Sequence, residues 1–162
     1  MPQAIARLNR SHPQLTVIVF EGSSDSLLNQ LLSGQFDFVL ASPPLGFYHD
    51  PELRIEKMYR DRDLIVASQD NPMTGQREVS ITDLSRSRWA ISNKHNDSFR
   101  HIQKLFAAEG LQGPRISVRT DSTSLTLSLI RRAGHVSLLS EDFIASANNL
   151  SGMKAIRNRE FE

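Results

Sequence analysis

Hydroxyl, amide and carboxylate side chains gather where the apolar runs of this sequence end: Ser23 and Ser24, Ser42, Ser92 and Asn93, then Thr120, Asp121 and Ser122, with Ser124 just beyond. Beside the unpaired amides that open a helix, such groups hold a small carboxylate or another polar molecule. Each hydrogen bond to a charged acceptor is then worth about 1.5 to 3 kcal/mol away from water. Taken singly, each of these residues is also what a helix N-cap requires. Their recurrence at one strand end after another is what points to a pocket. Asp121 has two readings of its own. A carboxylate facing the pocket selects a cationic or hydroxylated ligand, and a carboxylate in a first helical turn serves the helix dipole.

The residue patterns of catalysis are missing. The sequence has no G-x-S-x-G elbow, phosphate-binding loop, G-x-G-x-x-G or H-E-x-x-H. Its five histidines, His12, His49, His95, His101 and His135, have no metal-ligand spacing, and His95 and His101 flank a helix start as surface residues do. A triad from Ser140, His135 and Asp142 would need a strained elbow that nothing encodes. With no cysteine, disulfides, thiolate sites and a cysteine nucleophile are excluded. The expectation is a binding module that is not an enzyme, with no cofactor and no metal.

The elements that must position these groups follow from periodicity. A short amphipathic helix at 3 to 10 precedes Pro13 and a β-branched strand at 15 to 20 that ends at Gly22. A helix with Leu27, Leu28, Leu31 and Leu32 on one face stops at Gly34, and Phe36 to Ala41 reads as a buried strand. After the proline-rich loop at 42 to 46, in front of Phe47 and Tyr48, strands are expected at 53 to 59 and 63 to 68, turning at 60 to 62. The Pro/Gly-punctuated run from Gln69 to Gly75 is the expected boundary between two lobes, 1–70 and 71–162. The second lobe repeats the βα pattern. Strand Trp89 to Ile91 leads to a loop at 92 to 97 and a helix capped by Ser98, with Phe99, Ile102, Leu105 and Phe106 inward. A strand around Ile116 and Val118 leads to a helix with Leu125, Leu129, Ile130 and Ala133. Strand Val136 to Leu139, helix Glu141 to Ala147, a turn at 148 to 152 and a strand at 153 to 156 complete it. Phe36, Phe38, Trp89, Phe99 and Phe106 are expected core residues.

Several of these pieces, in this order, resemble the effector-binding domain of LysR-type transcriptional regulators. They are His12-Pro13, Glu21-Gly22-Ser23-Ser24, Gly34-x-x-Asp37-x-x-Leu40, Asp70-Asn71-Pro72-Met73, Ile81-x-Asp83-Leu84 and Ala133-Gly134-His135-Val136-Ser137-Leu138-Leu139. His135 and Ser140 depart from the Gly and Pro of the family pattern. The resemblance implies an α/β, two-lobed fold of the type 2 periplasmic-binding-protein kind, with a small effector bound between the lobes. On it, Ser24 and Ser42 fall on effector-contact positions. Some relatives that bind diacids have Arg where Ser42 stands, which speaks against a diacid. It also implies a strand ahead of the helix at 3 to 10 and a closing return after the last strand, so that the first lobe is incomplete. The segments 15–20 and 36–41 are then expected either to pair with each other or to be covered by a second copy in a homodimer or higher homo-oligomer. The family's DNA-binding helix-turn-helix is expected to lie outside these residues.

Composition fits that reading. The chain has 162 residues, 39% hydrophobic and 23% charged, as in a soluble globular domain. A formal net charge of +1 gives no overall bias toward nucleic acid. No apolar run reaches bilayer-spanning length and Met1 to Ala4 carries no signal-peptide pattern, so a cytoplasmic protein without membrane contact is expected, and the sequons at Asn9, Asn96 and Asn149 are read as chance. Two other classes remain open on a similar α/β frame: a free-standing solute-binding protein and a small-molecule enzyme.

Overall fold

Proline costs little at the first position of a helix, where its missing N–H would have no partner. Helix α1 (Pro2–Ser11) accordingly starts on Pro2 in the computed structural model, which describes residues 1–41, 45–92, 97–146 and 151–161. The chain divides into the units Met1–Lys57 and Met58–Glu162. In the first unit, helix α2 (Ser24–Leu32) is capped by Ser23, whose hydroxyl accepts the Ser26 amide at 3.3 Å. A Cβ on Gly22 would lie 3.2 Å from Leu27 Cδ2, so glycine lets that leucine close against the corner. Gly34 takes a φ of +75°, and the Gln35 amide reaches back to the Gln30 carbonyl at 2.9 Å. This is the hydrogen-bonded stop expected of a glycine after a helix. A 3₁₀ turn follows at Leu45–His49.

The strands expected in this unit do not form. Segments 15–20, 36–41 and 53–59 carry no β-ladder among the described residues, and the first two do not pair with each other. β-branched and aromatic residues favour a pleated surface, but a strand exists only where a neighbour takes its amides and carbonyls. Ile18 is 74% exposed and Phe38 73%, which corrects the expectation that Phe38 is a core residue. Phe20 and Phe36 do meet, with ring centroids 5.3 Å apart.

The second unit has the ladders. β1 (Asp63–Ser68), a 3₁₀ turn (Pro72–Gly75), α3 (Ile81–Ser85), β2 (Arg88–Ile91), α4 (Asp97–Ala108), β3 (Arg115–Arg119), α5 (Thr123–Ala133), β4 (Ser137–Ser140), α6 (Glu141–Ser146) and β5 (Met153–Ala155) follow in order. β1 is the centre of an antiparallel sheet, β4-β1-β5, while β2 and β3 pair in parallel. A parallel bridge from Trp89 to Val136 connects the two sets. Because β1 pairs with β4 and β5, it belongs to this unit, so the division at Lys57–Met58 falls ahead of the lobe boundary read from the sequence.

Period-two alternation along β1 gives each face its own core. Ile65 and Ala67 join Val79, Ile81, Leu84, Trp89, Ile102 and Phe106; Val66 joins Ile130, Ile144 and Met153. Helix α4 begins at Asp97, so Ser98 is a first-turn residue and not the cap, a position that takes non-helical backbone. Helix α5 buries Thr126 and Ile130, leaving Leu125 exposed.

Two carboxylates lock the turns. Arg62 grips Glu141 through both oxygens, at 2.7 and 3.0 Å, and this hydrogen-bonded guanidinium holds the Glu141 carboxyl below its usual range. Ser80 and Asp83 form a capping box at the start of α3. The Ser80 hydroxyl donates to Asp83 at 2.7 Å and its amide at 3.4 Å, which likewise lowers the Asp83 pKa. A depressed carboxylate contributes stability above its unfolded pKa and loses it as pH falls through the folded value. Asp83→Asn is therefore expected to flatten part of the fall in melting temperature below about pH 4. Superimposable acid profiles for the two proteins would remove Asp83 from this account.

Candidate functional site

Parallel strands end on the same side, so whatever follows β2 lies beside whatever follows β3. The register Arg88↔Arg115 and Trp89↔Ile116 jumps to Ala90↔Val118, leaving Ser117 as an inserted residue whose hydroxyl donates to the Trp89 carbonyl at 3.3 Å. Past the bulge, the Thr120 amide donates to the Ile91 carbonyl at 3.0 Å and extends the ladder to the strand ends. Ser92 and Asp121 are thereby brought together, and the Ser92 hydroxyl donates to Asp121 Oδ1 at 2.7 Å.

The next hydrogen bonds open α5. The Ser122 amide donates to Thr120 Oγ1 at 3.1 Å, the Ser122 hydroxyl accepts the Leu125 amide at 3.3 Å, and Ser124 Oγ lies 3.1 Å from Ser122 Oγ. The buried Thr126 hydroxyl donates to the Ser122 carbonyl at 3.2 Å. Ser92, Thr120, Asp121 and Ser122 thus form one polar cluster at the strand ends. The nearest strand-borne cation is turned to a ring: the Arg119 guanidinium sits 5.6 Å from the centre of Phe99.

In the first unit, Ser23 is committed to its cap, whereas the half-buried Ser24 hydroxyl makes no hydrogen bond among the described residues. Ser42 and Asn93 lie outside the described residues. The Ser92–Asp121 pair was not foreseen. Its signal was present in two strands that both end on a small polar residue, but only the register of the ladder makes them neighbours.

Elsewhere, the residues weighed for catalysis are placed in structural roles. Ser140 Oγ donates to the Asp61 carboxylate and accepts the Phe143 amide at 3.1 Å. His135 is buried, with no hydrogen bond at Nδ1 among the described residues. His101 Nε2 lies 3.2 Å from the Glu160 carbonyl, with its ring stacked on Phe161. Among the described residues no three histidines, cysteines or acids come together to hold a metal ion, and no helix is long and apolar enough to cross a membrane.

Residues 1–162 match the sequence family described as LysR substrate binding domain. The HTH-type transcriptional regulator CysL of Bacillus subtilis is 26% identical over 112 residues, 69% of this chain and 36% of that protein. The HTH-type transcriptional regulator GbpR of Rhizobium radiobacter is 27% identical over 140 residues, 86% of this chain and 46% of that protein. The chain thus spans less than half the length of these curated relatives. Among solved structures, the regulatory domain of CcmR from Synechocystis PCC6803, in complex with 2-PG, superimposes with a TM-score of 0.75 at 18% identity, over 99% of this chain and 75% of that one. The effector binding domain of QuiR, in complex with shikimate, gives 0.70 at 18% identity, over 98% of this chain and 74% of that one. At such identities the likeness shows a shared fold.

Proposed function

The chain belongs to the LysR substrate-binding domain family, and from that premise we propose that it senses a small polar effector held between two lobes. The observation that carries this reading is the hydrogen-bonded cluster of Ser92, Thr120, Asp121 and Ser122 at the strand ends of β2 and β3. In open α/β sheets ligands bind outside the carboxyl ends of the strands. Ser23, Ser24, Ser42 and Asn93 complete the proposed site. The effector binds one arrangement of the lobes better than another and so shifts a population that the rest of the regulator reads out. It is chemically unchanged by this, and the domain is not an enzyme. Its place is the cytoplasm, where the regulated DNA is.

The neighbours solved with 2-PG and with shikimate give the first compounds to try. Bound at a hundred times its dissociation constant, an effector stabilises the folded domain by about 2.7 kcal/mol. A melting titration with shikimate and related hydroxy acids is expected to show such a rise. If no compound of the panel raised the melting temperature, the effector reading would lose its support.

DNA contact belongs to a part of the regulator outside residues 1–162, and the domain associates with a second copy of itself. Leu15, Ile18, Val19, Phe20 and Leu40 lie on segments with no ladder partner among the described residues and are at least half exposed, apolar side chains that a two-fold contact would cover. Sedimentation of this polypeptide with an operator duplex at physiological salt tests both statements. The expected result is a protein dimer and a duplex that sediments alone. A monomer, or a duplex carried down by the protein, would count against the corresponding statement.

A further inference from the structure

Strand β5 forms one edge of its sheet. Two hydrogen bonds fix which way its backbone faces: the Ile156 amide donates to the Ile65 carbonyl at 2.7 Å and the Gln69 amide to the Gly152 carbonyl at 3.0 Å. With Lys154 opposite Ala67, residues 152, 154 and 156 therefore turn toward β1. Alternation in an antiparallel pair then turns the amides and carbonyls of Met153, Ala155 and Arg157 outward. The Val79 amide takes the Arg157 carbonyl at 2.9 Å. The outward groups of Met153 and Ala155 have no hydrogen-bond partner among the described residues.

Along this edge runs a groove of about 420 Å³ lined by Thr74, Gln76, Lys154, Ala155 and Arg157. Positions 154 and 157 differ in parity, so an ammonium and a guanidinium flank the edge from opposite faces of the sheet. Both residues are exposed and neither joins an ion pair among the described residues, whereas Arg159 reaches Glu78 at 3.6 Å. We propose that this edge accepts an extended acidic segment of a partner protein as an added strand. Successive residues of a strand project to opposite faces, so carboxylates three residues apart on the incoming segment, which also differ in parity, stand opposite Lys154 on one face and Arg157 on the other. Lysine on an edge ordinarily repels stray strands, and here the same charge makes the edge selective for acidic ones. A small anion would use the two cations and leave the outward Ala155 carbonyl unpaired, so the backbone favours a peptide.

The test uses a short peptide of Val-Glu-Glu repeats, its Val-Lys-Lys counterpart and inorganic phosphate. The glutamate peptide is expected to bind saturably, to slow exchange of the Ala155 amide, and to weaken at least about tenfold in the Lys154→Glu, Arg157→Glu double variant. Ala155→Pro removes an outward donor without taking a bond from β1, so it is expected to abolish binding while leaving the melting temperature nearly unchanged. Equal affinity for the lysine peptide, an unprotected Ala155 amide, or phosphate reproducing every shift would each overturn the proposal.

Discussion

Trp89→Ala is expected to unfold the second unit or bring it close to unfolding. The indole is fully buried, lies at the meeting of β2 with Val136, and is surrounded by Leu84, Ile102 and Phe106. Its Nε1 donates to the Leu84 carbonyl at 3.2 Å, the turn that ends α3. Truncation to alanine removes the apolar area, leaves a cavity in a close-packed core, and takes away one of two hydrogen bonds to that carbonyl, which keeps the Ser87 amide at 3.2 Å, at a cost of about 3 to 5 kcal/mol. Typical domains have only about 5 to 15 kcal/mol in total. The measurement is urea denaturation followed by circular dichroism, because Trp89 is the single tryptophan and its fluorescence disappears with it. Trp89→Phe restores most of the volume but not the donor and should fall between the two. A loss under about 1 kcal/mol for the alanine variant would mean that the core it sits in does not depend on this residue.

The second expected effect is on ligand response. Ser24 and Ser122 separate capping from binding because their hydroxyls are differently committed. Ser122 caps α5 through the Leu125 amide, so Ser122→Ala should lower the stability of the unliganded domain by about 0.5 to 2 kcal/mol. The Ser24 hydroxyl is uncommitted among the described residues, so Ser24→Ala should leave the unliganded domain nearly as stable as before. Both variants are expected to lose the ligand-induced rise in melting temperature. If both kept the full rise, their hydroxyls would be caps and surface groups only.

That contrast also marks what the sequence made legible. Helices α2 and α5 were readable because their caps and stops are local: a serine accepts an amide three residues on, and a glycine adopts positive φ after the last turn. Trp89, Phe99 and Phe106 were readable as core residues because large apolar side chains on a short strand and on one face of a helix are buried wherever those elements pack. The strands expected in the first unit were misread for the opposite reason. Val17, Ile18 and Val19 have the composition of a strand, but pairing is a property of a partner segment elsewhere, and none lies alongside them among the described residues. Ser92 and Asp121 illustrate the same limit at the site. Each was a candidate, but their hydrogen bond depends on a bulge at Ser117 that the sequence does not announce.

The most direct test of the account is a nitrogen-edited spectrum of the domain titrated with shikimate and a series of small hydroxy acids. At least one compound is predicted to move the amides of Thr120, Asp121, Ser122 and Leu125 saturably, together with those of Ser24 and Asp25. The Ser122→Ala and Ser24→Ala variants should each lose that response. Titrations that leave these amides unmoved for every compound, or saturable shifts confined to other parts of the chain, would contradict the claim that the strand ends form the effector site.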